Sequence, residues 1–565
     1  MKRSLALLLA TIMLFAAAAG CNPSEPGETT TKPADTTTSP VSTTTEAPTA
    51  PAEPKEITFA RSFDPTTLDP HNTVEAVAYE ILYLTGEGLL RNKNGVLQPG
   101  IAEKWDVSPD GYEYTFHLRK STWADGTPLT AHDFVYSFLR VVDPAQAYEQ
   151  AQYAYPVLKN SEQYHTGEIT DASQVGVEAL DDYTLKITCT TPGVETLNTL
   201  SRYPWLPIKK DVAEQYGAAY GAEAEKVMGN GPFKLVSWAH QDNLVLEKNQ
   251  NYWDKDSIKL DKITGIIGAA DQTGADMMLA GSLDYMKTTN AEIMQQLVDA
   301  GFESTKYTSQ LQVLLIGGKT DESTAFMDNA NFKLALNYAL NRQAITDTLF
   351  TGGLPATRLT PPTVMGVNKP FVEEYPYEGW PAAGDKEKAK QHLELALQEL
   401  GKTIDQVPEL SIICYESANS VLVMQAVQDM YLSVLGINCV IDQLPIQQMF
   451  AKAFSGDFDM WWAGQSIGTM DWGSPDGFLS SFDWRLPGYT GTWKDEEFAR
   501  LYDIVQTTTD VKERKDSLFA IEKILIQDNP PFITIAYTQQ FVIYDAKLSG
   551  PEITSFDDIT YMDFK

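Results

Sequence analysis

Cysteine and histidine are scarce in this chain, at 4 and 6 among 565 residues. No two cysteines form a CxxC pair, and no Cys/His group has the spacing of a metal site. The histidines stand at 71, 117, 132, 165, 240 and 392. None comes after Ser466, the serine of Gly464-Gln465-Ser466-Ile467-Gly468, a G-x-S-x-G match. A hydrolase elbow of that type needs its histidine later in the chain, and a helix directly after the serine. Thr469 to Gly477 do not start one. There is no HExxH, no Walker loop and no GxGxxG on a strand-to-helix turn. A glycosidase carboxylate pair is set by the fold, and 76 acidic residues guarantee accidental candidates. Basic side chains are outnumbered 43 to 76, giving a net charge of −33 and a pI near 4.5. That balance argues against nucleic acid or an anionic membrane surface as the main partner. Long apolar runs are missing too. Leu5 to Phe15 is too short to span a bilayer comfortably and lacks a stop-transfer flank.

That run is a processing signal. Lys2 and Arg3 precede it, and small residues ending in Ala18-Ala19-Gly20-Cys21 come after it, as in a secretory signal peptide over 1–20. Cys21 directly after the small residues resembles a bacterial lipobox, with Ala18 where Leu is usual. Lipidation of Cys21 is therefore expected, with ordinary cleavage and a free secreted Cys as the alternative. Residues 21–54 are almost wholly Thr, Pro, Ser, Ala and Glu, with nothing to bury, and read as a disordered tether.

The rest of the chain reads as globular. Hydrophobic residues make up 43% and aromatics 11%, and the length accommodates two to four domain-sized units. Ile57 to Phe59 reads as a strand and Ala78 to Leu84 as a helix. Tyr112, Tyr114, Phe116 and Leu118 alternate with polar residues, the pattern of a half-buried strand, and Asp110-Gly111 supplies a hairpin turn before it. Thr130 is a helix N-cap with Asp133 closing the capping box, and Phe134, Val135, Phe138 and Leu139 form the apolar face. Cys414 in SIICYES and Cys439 in GINCVID lie in two apolar runs joined by a helical stretch, which predicts neighbouring parallel strands. A disulfide and buried free thiols are both open.

Phe458 to Phe482 has the most chemistry. It opens as an apolar strand with Trp461 and Trp462, breaks into a Gly/Ser loop, and sets Asp471 between Met470 and Trp472. Pro475 and Gly477 hold off any helix until about Phe478. A carboxylate among tryptophans is costly to desolvate unless a cation meets it, and no Lys or Arg lies between Lys452 and Arg485. Asp471 either caps a turn or meets a cation from elsewhere, a ligand ammonium included.

Several motifs fall in one order. They are LQPGIAEKWDVSPDGYEYTFHLRK with W-x-D-G-x-P-L-T-A-x-D-F at Trp123 to Phe134, Gly229-Asn230-Gly231-Pro232-Phe233, Asn251-Tyr252-Trp253-Asp254 with Leu260 to Ile263, NFKLALNYALNRQAI at 331–345, and Thr360-Pro361-Pro362. Together they resemble the extracytoplasmic solute-binding proteins of the peptide ABC transporter family, over about 57–550. Trp123, Asp125, Gly231 and Trp253 are read as fold determinants. The resemblance implies an α/β, two-lobed, type II periplasmic-binding-protein-like fold of three domains with mixed sheets. It divides the chain into 55–88, 207–308 and 537–565 (lobe 1), 89–206 (an additional domain) and 309–536 (lobe 2).

It further implies no enzymatic activity, cofactor or metal. The expected protein is a monomer on the outer face of the cell membrane, held by a lipid on Cys21, that passes an extended oligopeptide to permease subunits. Asp471-Trp472-Gly473-Ser474-Pro475 matches the segment whose Asp pairs with the peptide's N-terminal ammonium. Glu75, otherwise a solvated loop carboxylate, and the backbone at Val77 fall on peptide contacts; Trp461, Trp462 and Trp472 either line pockets or are buried core. Trp462 stands where relatives often carry Arg. A non-peptide ligand (metal chelate, glycan or other small solute) keeps the fold and the transport role. An exported hydrolase is the remaining alternative.

Overall fold

The computed structural model describes residues 54–565, apart from 74, 94–95, 147, 194, 270, 318–321, 363, 365, 467–478, 480–481, 486–491 and 553–557. The signal peptide, Cys21 and the Thr/Pro-rich stretch therefore lie outside the described residues.

The chain enters through β1 (Glu56–Arg61), whose Ile57 and Phe59 point into the core, and turns through a loop into α1 (Ala76–Thr85). β2 (Ala102–Val107) and β3 (Glu113–Leu118) form the expected hairpin. Gly111 at φ 77° makes the turn, and Tyr114, Phe116 and Leu118 are the buried face. With β4 (Val177–Asp181) and β5 (Thr184–Thr188) they make a four-stranded antiparallel sheet, order β2-β3-β5-β4. α2 (Ala131–Val141) begins at the Thr130/Asp133 capping box and buries Phe134 and Phe138. Phe138 meets Trp205 edge-on at 4.8 Å.

The residues read as fold determinants are packed as such. Trp123 is 1% exposed. Asp125 accepts from the Thr127 amide and hydroxyl and from Lys209. Trp253 donates from Nε1 to Glu87 at 2.6 Å. At Gly231 a Cβ would lie 2.5 Å from the Gly86 nitrogen, so only glycine lets the two backbones approach.

β6 (Phe233–Ala239), β7 (Asn243–Lys248), β8 (Lys262–Ile267) and β9 (Tyr285–Thr288) build the sheet of lobe 1 around β1. Two long strands then carry that sheet onward, β10 (Glu303–Ile316) and, near the chain's end, β14 (Phe532–Tyr544). They pair antiparallel from Glu303–Tyr544 to Leu315–Phe532, with register breaks at Thr308/Gln310 and Gln312/Val313. β9 joins β14 at one end of this ribbon, and β13 (Met460–Ser466) joins β10 at the other. β11 (Leu410–Tyr415) and β12 (Cys439–Leu444) complete the path β6-β7-β8-β1-β9-β14-β10-β13-β11-β12, mixed in direction as expected.

Lobe 2 wraps this far end. The stretch 331–345, similar to a single helix of the family the chain resembles, is split into α3 (Ala330–Ala339) and α4 (Arg342–Leu349). Leu340 turns extended at ψ 125°, and Asn341 accepts from the Ala344 amide as the new N-cap. α5 (Lys386–Leu400) and α6 (Ala418–Leu435) pack with α3 on one face of the lobe 2 sheet, where Leu314, Ile412, Met460 and Trp462 are core. Leu311, Val313 and Ala463 face a second core on the other side. As expected, β11 and β12 are parallel neighbours joined by α6. Cys439 lies opposite Leu410 and Cys414 opposite Gln443. Four residue steps separate the two thiols, roughly 13 Å along the strands, too far to bridge. Both are buried and free.

Candidate functional site

In an open α/β sheet, ligands collect where parallel strands end at their carboxyl edge. In lobe 2 that edge is formed by Tyr415, Leu444 and Ser466, the last residues of β11, β12 and β13. The segment bearing Asp471 and Trp472 continues directly from β13, but both residues lie outside the described ones. Trp462 is 3% exposed and packs into the lobe 2 core. Its ring stacks on Tyr415, centroids 5.4 Å apart and 9° from parallel. Toward the lobe junction the same sheet becomes polar. Gln312 donates to the Gln310 side chain at 3.1 Å, beside Gly464, where a Cβ would lie 2.8 Å from Gln310 Oε1.

Glu75 sits in lobe 1 at the N-cap of α1, half-buried. Its carboxylate accepts from the Thr66 amide at 2.8 Å and the Thr66 hydroxyl at 2.9 Å. It thus ties the start of the 62–75 loop to its end. Val77 is in the first turn of α1, where N–H groups have no partner within the helix. The same loop is pinned from the additional domain by residues that no sequence motif picks out. Arg140 of α2 grips Asp69 through both guanidinium nitrogens, at 3.0 and 2.7 Å, and donates to His71 Nδ1 at 2.8 Å. Its guanidinium lies 4.6 Å from the Tyr148 ring centroid. Burial, and then the Arg140 charge, hold the His71 pKa well below the ordinary imidazole value, so His71 is neutral and accepts. Gln150 donates to the Thr73 carbonyl at 2.8 Å.

Two ion networks line a cavity between α1, the lobe 1 sheet and the C-terminal segment. In one, Glu80 receives both Arg61 and Lys287. In the other, Arg91 contacts Glu87, Tyr252 and Tyr561. Glu80 thus meets two cations and Glu87 one. Tyr79, one turn after Glu75, stacks on Tyr203 at 3.8 Å with a 2.8 Å hydroxyl bond, and burial pushes its pKa up to about 12.

Known proteins resemble the chain over most of its length. The model of bacterial extracellular solute-binding proteins, family 5, matches residues 96–484. The oligopeptide-binding protein OppA of Bacillus subtilis (strain 168) is 31% identical over 501 residues, covering 86% of this chain and 88% of that protein. Among solved structures, the unliganded open form of the periplasmic murein tripeptide-binding protein MppA superposes with a TM-score of 0.73 at 23% identity, covering 91% of this chain and 98% of that one. The substrate-binding domain of an oligopeptide ABC transporter from Bacillus anthracis str. Ames gives 0.71 at 25% identity, covering 91% and 99%.

Proposed function

Since the chain belongs to the family 5 bacterial extracellular solute-binding proteins, we propose that it is the receptor of an ABC importer that captures oligopeptides between its lobes and delivers them to a membrane permease. The observation that carries this reading is the 31% identity, over 86% of the chain, to a protein named for oligopeptide binding. The fold supports it, because two lobes joined through one ribbon of β10 and β14 can close over an extended chain. Family members bind solutes for transport, and the absence of enzymatic activity in this chain is part of the proposal.

In this reading Asp471 pairs with the peptide's terminal ammonium, a charge-assisted bond that fixes register. Trp472 flanks the side chains, Trp462 backs the site from the core beneath Tyr415, the Val77 backbone meets the peptide main chain, and Glu75 acts at that contact while bracing its loop. The lobes hinge near 308/309, where β10 loses register with β14, and the chain returns to lobe 1 near 536/537. The additional domain spans 89–206. Cys21 carries a lipid that anchors the exported monomer to the outer face of the membrane, with 21–54 as tether.

Mass spectrometry of whatever co-purifies, released by denaturation, tests the ligand class. A ladder of short peptides with free N-termini is expected, whereas a single defined non-peptide species would overturn the peptide assignment. For the anchor, N-acetylated peptides should bind at least tenfold more weakly than free ones, and Asp471→Asn should erase the difference. Equal affinity in the unmodified protein removes Asp471 from that role.

A further inference from the structure

The Tyr415–Trp462 stack sits at the carboxyl edge of the lobe 2 sheet with one aromatic face turned outward. Trp462 is buried at 3% exposure, while Tyr415 is 37% exposed. The buried inner ring therefore holds the partly exposed outer one in place. The two residues are 47 positions apart in sequence and meet because β11 and β13 run parallel as neighbours. The charge around them is one-sided. β11, β12 and β13 contain no Lys or Arg, and neither does the Gln310–Ile316 part of β10. The nearby cation on the helix after β12, Lys452, is bound to Asp442 at 2.6 Å. Glu416, directly after Tyr415, is exposed.

We propose that Tyr415 is a specificity-determining residue that receives an aromatic side chain of the bound peptide, with Trp462 positioning its ring, and that this edge disfavours acidic side chains. The inference rests on the peptide reading above. Offset or edge-on packing against a fixed ring adds about 0.5–1.5 kcal/mol beyond area burial, roughly a 2- to 12-fold gain in affinity. A carboxylate brought beside Glu416 with no cation to offset it is repelled.

The test is calorimetric titration of the purified full chain with pentaalanine and with its variants carrying Phe or Glu at each position in turn. One position is expected at which Phe binds about 2- to 12-fold more tightly than Ala and Glu more weakly. Tyr415→Ala should flatten that preference, and Tyr415→Leu should do so while keeping bulk. Trp462→Leu should also reduce the preference and Trp462→Phe restore it, an outcome that mere loss of core packing does not produce. If peptides bind but the Phe scan is flat, or Glu is preferred, the assignment of Tyr415 is wrong and the peptide reading stands. If no peptide binds at all, both fall.

Discussion

Replacing His71 with Gln should remove a defined part of the acid sensitivity of lobe 1. His71 is fully buried and accepts at Nδ1 from Arg140, which itself grips Asp69. Protonating it would put a second cation against a guanidinium inside the protein, on top of the cost of burying its charge, hence its depressed pKa. Linkage gives the sign. A histidine neutral in the fold and titrating near 6.5 when unfolded gives the unfolded state the extra proton, so stability falls as pH drops below about 6.5. With the native group still neutral, the loss between pH 6.5 and 5 is roughly 1.7 kcal/mol. His71→Gln keeps an acceptor for Arg140 and removes the proton site. Urea unfolding tracked by tryptophan fluorescence at the two pH values should show the variant losing about 1.7 kcal/mol less than the unmodified protein. Carboxylate titrations are common to both proteins and cancel in the difference. His240, whose pKa is raised because its burial is outweighed by Asp64 and Glu223, contributes with the opposite sign. That contribution is present at low pH and lost as pH rises through the folded value, and being common to both proteins it cancels as well. If His71→Gln shows the same pH dependence as the unmodified protein, His71 titrates normally and the account of the Arg140 cluster is wrong.

Gly231→Ala should cost at least about 2 kcal/mol by overpacking, because the added methyl meets the Gly86 nitrogen and Thr85 carbonyl carbon at 2.5 and 2.6 Å. A denaturation midpoint unchanged from the unmodified protein would show that this approach relaxes freely. Arg342 is wholly buried, and burial lowers its pKa to about 9. It spans the Thr534 and Asn337 carbonyls, each at 2.9 Å. Arg342→Met, which leaves those acceptors unpaired, should destabilise by about 2 kcal/mol or more, measured in the same way. A neutral result would mean that the cost of burying the guanidinium cancels its bonds.

Local chemistry was the legible part of this chain. The Asp110-Gly111 turn, the Thr130/Asp133 box and the alternation at Tyr114 to Leu118 each act within a few residues, and each stands where the sequence implies. The resemblance misled at Leu340, since its motif runs straight through 331–345 as one helix while a single asparagine side chain restarts the helix. The Asp69–His71–Arg140 cluster could not be read because its members are set about 70 residues apart and joined only when α2 packs on the 62–75 loop. Tyr79 had a faint signal, one helical turn after Glu75. Tyr415 had none, because an aromatic residue at a strand end becomes a surface feature only once the neighbouring strand supplies Trp462.

Under the proposed closure of the lobes, the ribbon of β10 and β14 would let them move without losing their cores. Their pairing runs from Glu303 to Leu315, so neither lobe presents an unpaired edge to the other along it. The breaks in register fall between the part paired with β9 and the far end of the ribbon, and each inserts a residue that the partner strand does not match. A bulge of this kind bends and twists a strand while its flanks stay paired. Rotation concentrated at the Thr308/Gln310 break leaves the lobe 1 core around Phe59 and Leu246 and the lobe 2 core around Leu314 and Trp462 intact. The side chains at the Thr308/Gln310 break are polar and bonded to one another, as with Ser309 to Thr538 at 3.1 Å and Gln539 to Thr308 at 3.1 Å, whereas the Gln312/Val313 break lies inside the cores with Val313 and Ile535 fully buried. Such bonds exchange with water or ligand at small net cost, whereas apolar packing at the same place would resist opening. A hinge between two rigid lobes requires that combination, a paired backbone with an unpacked, polar surround.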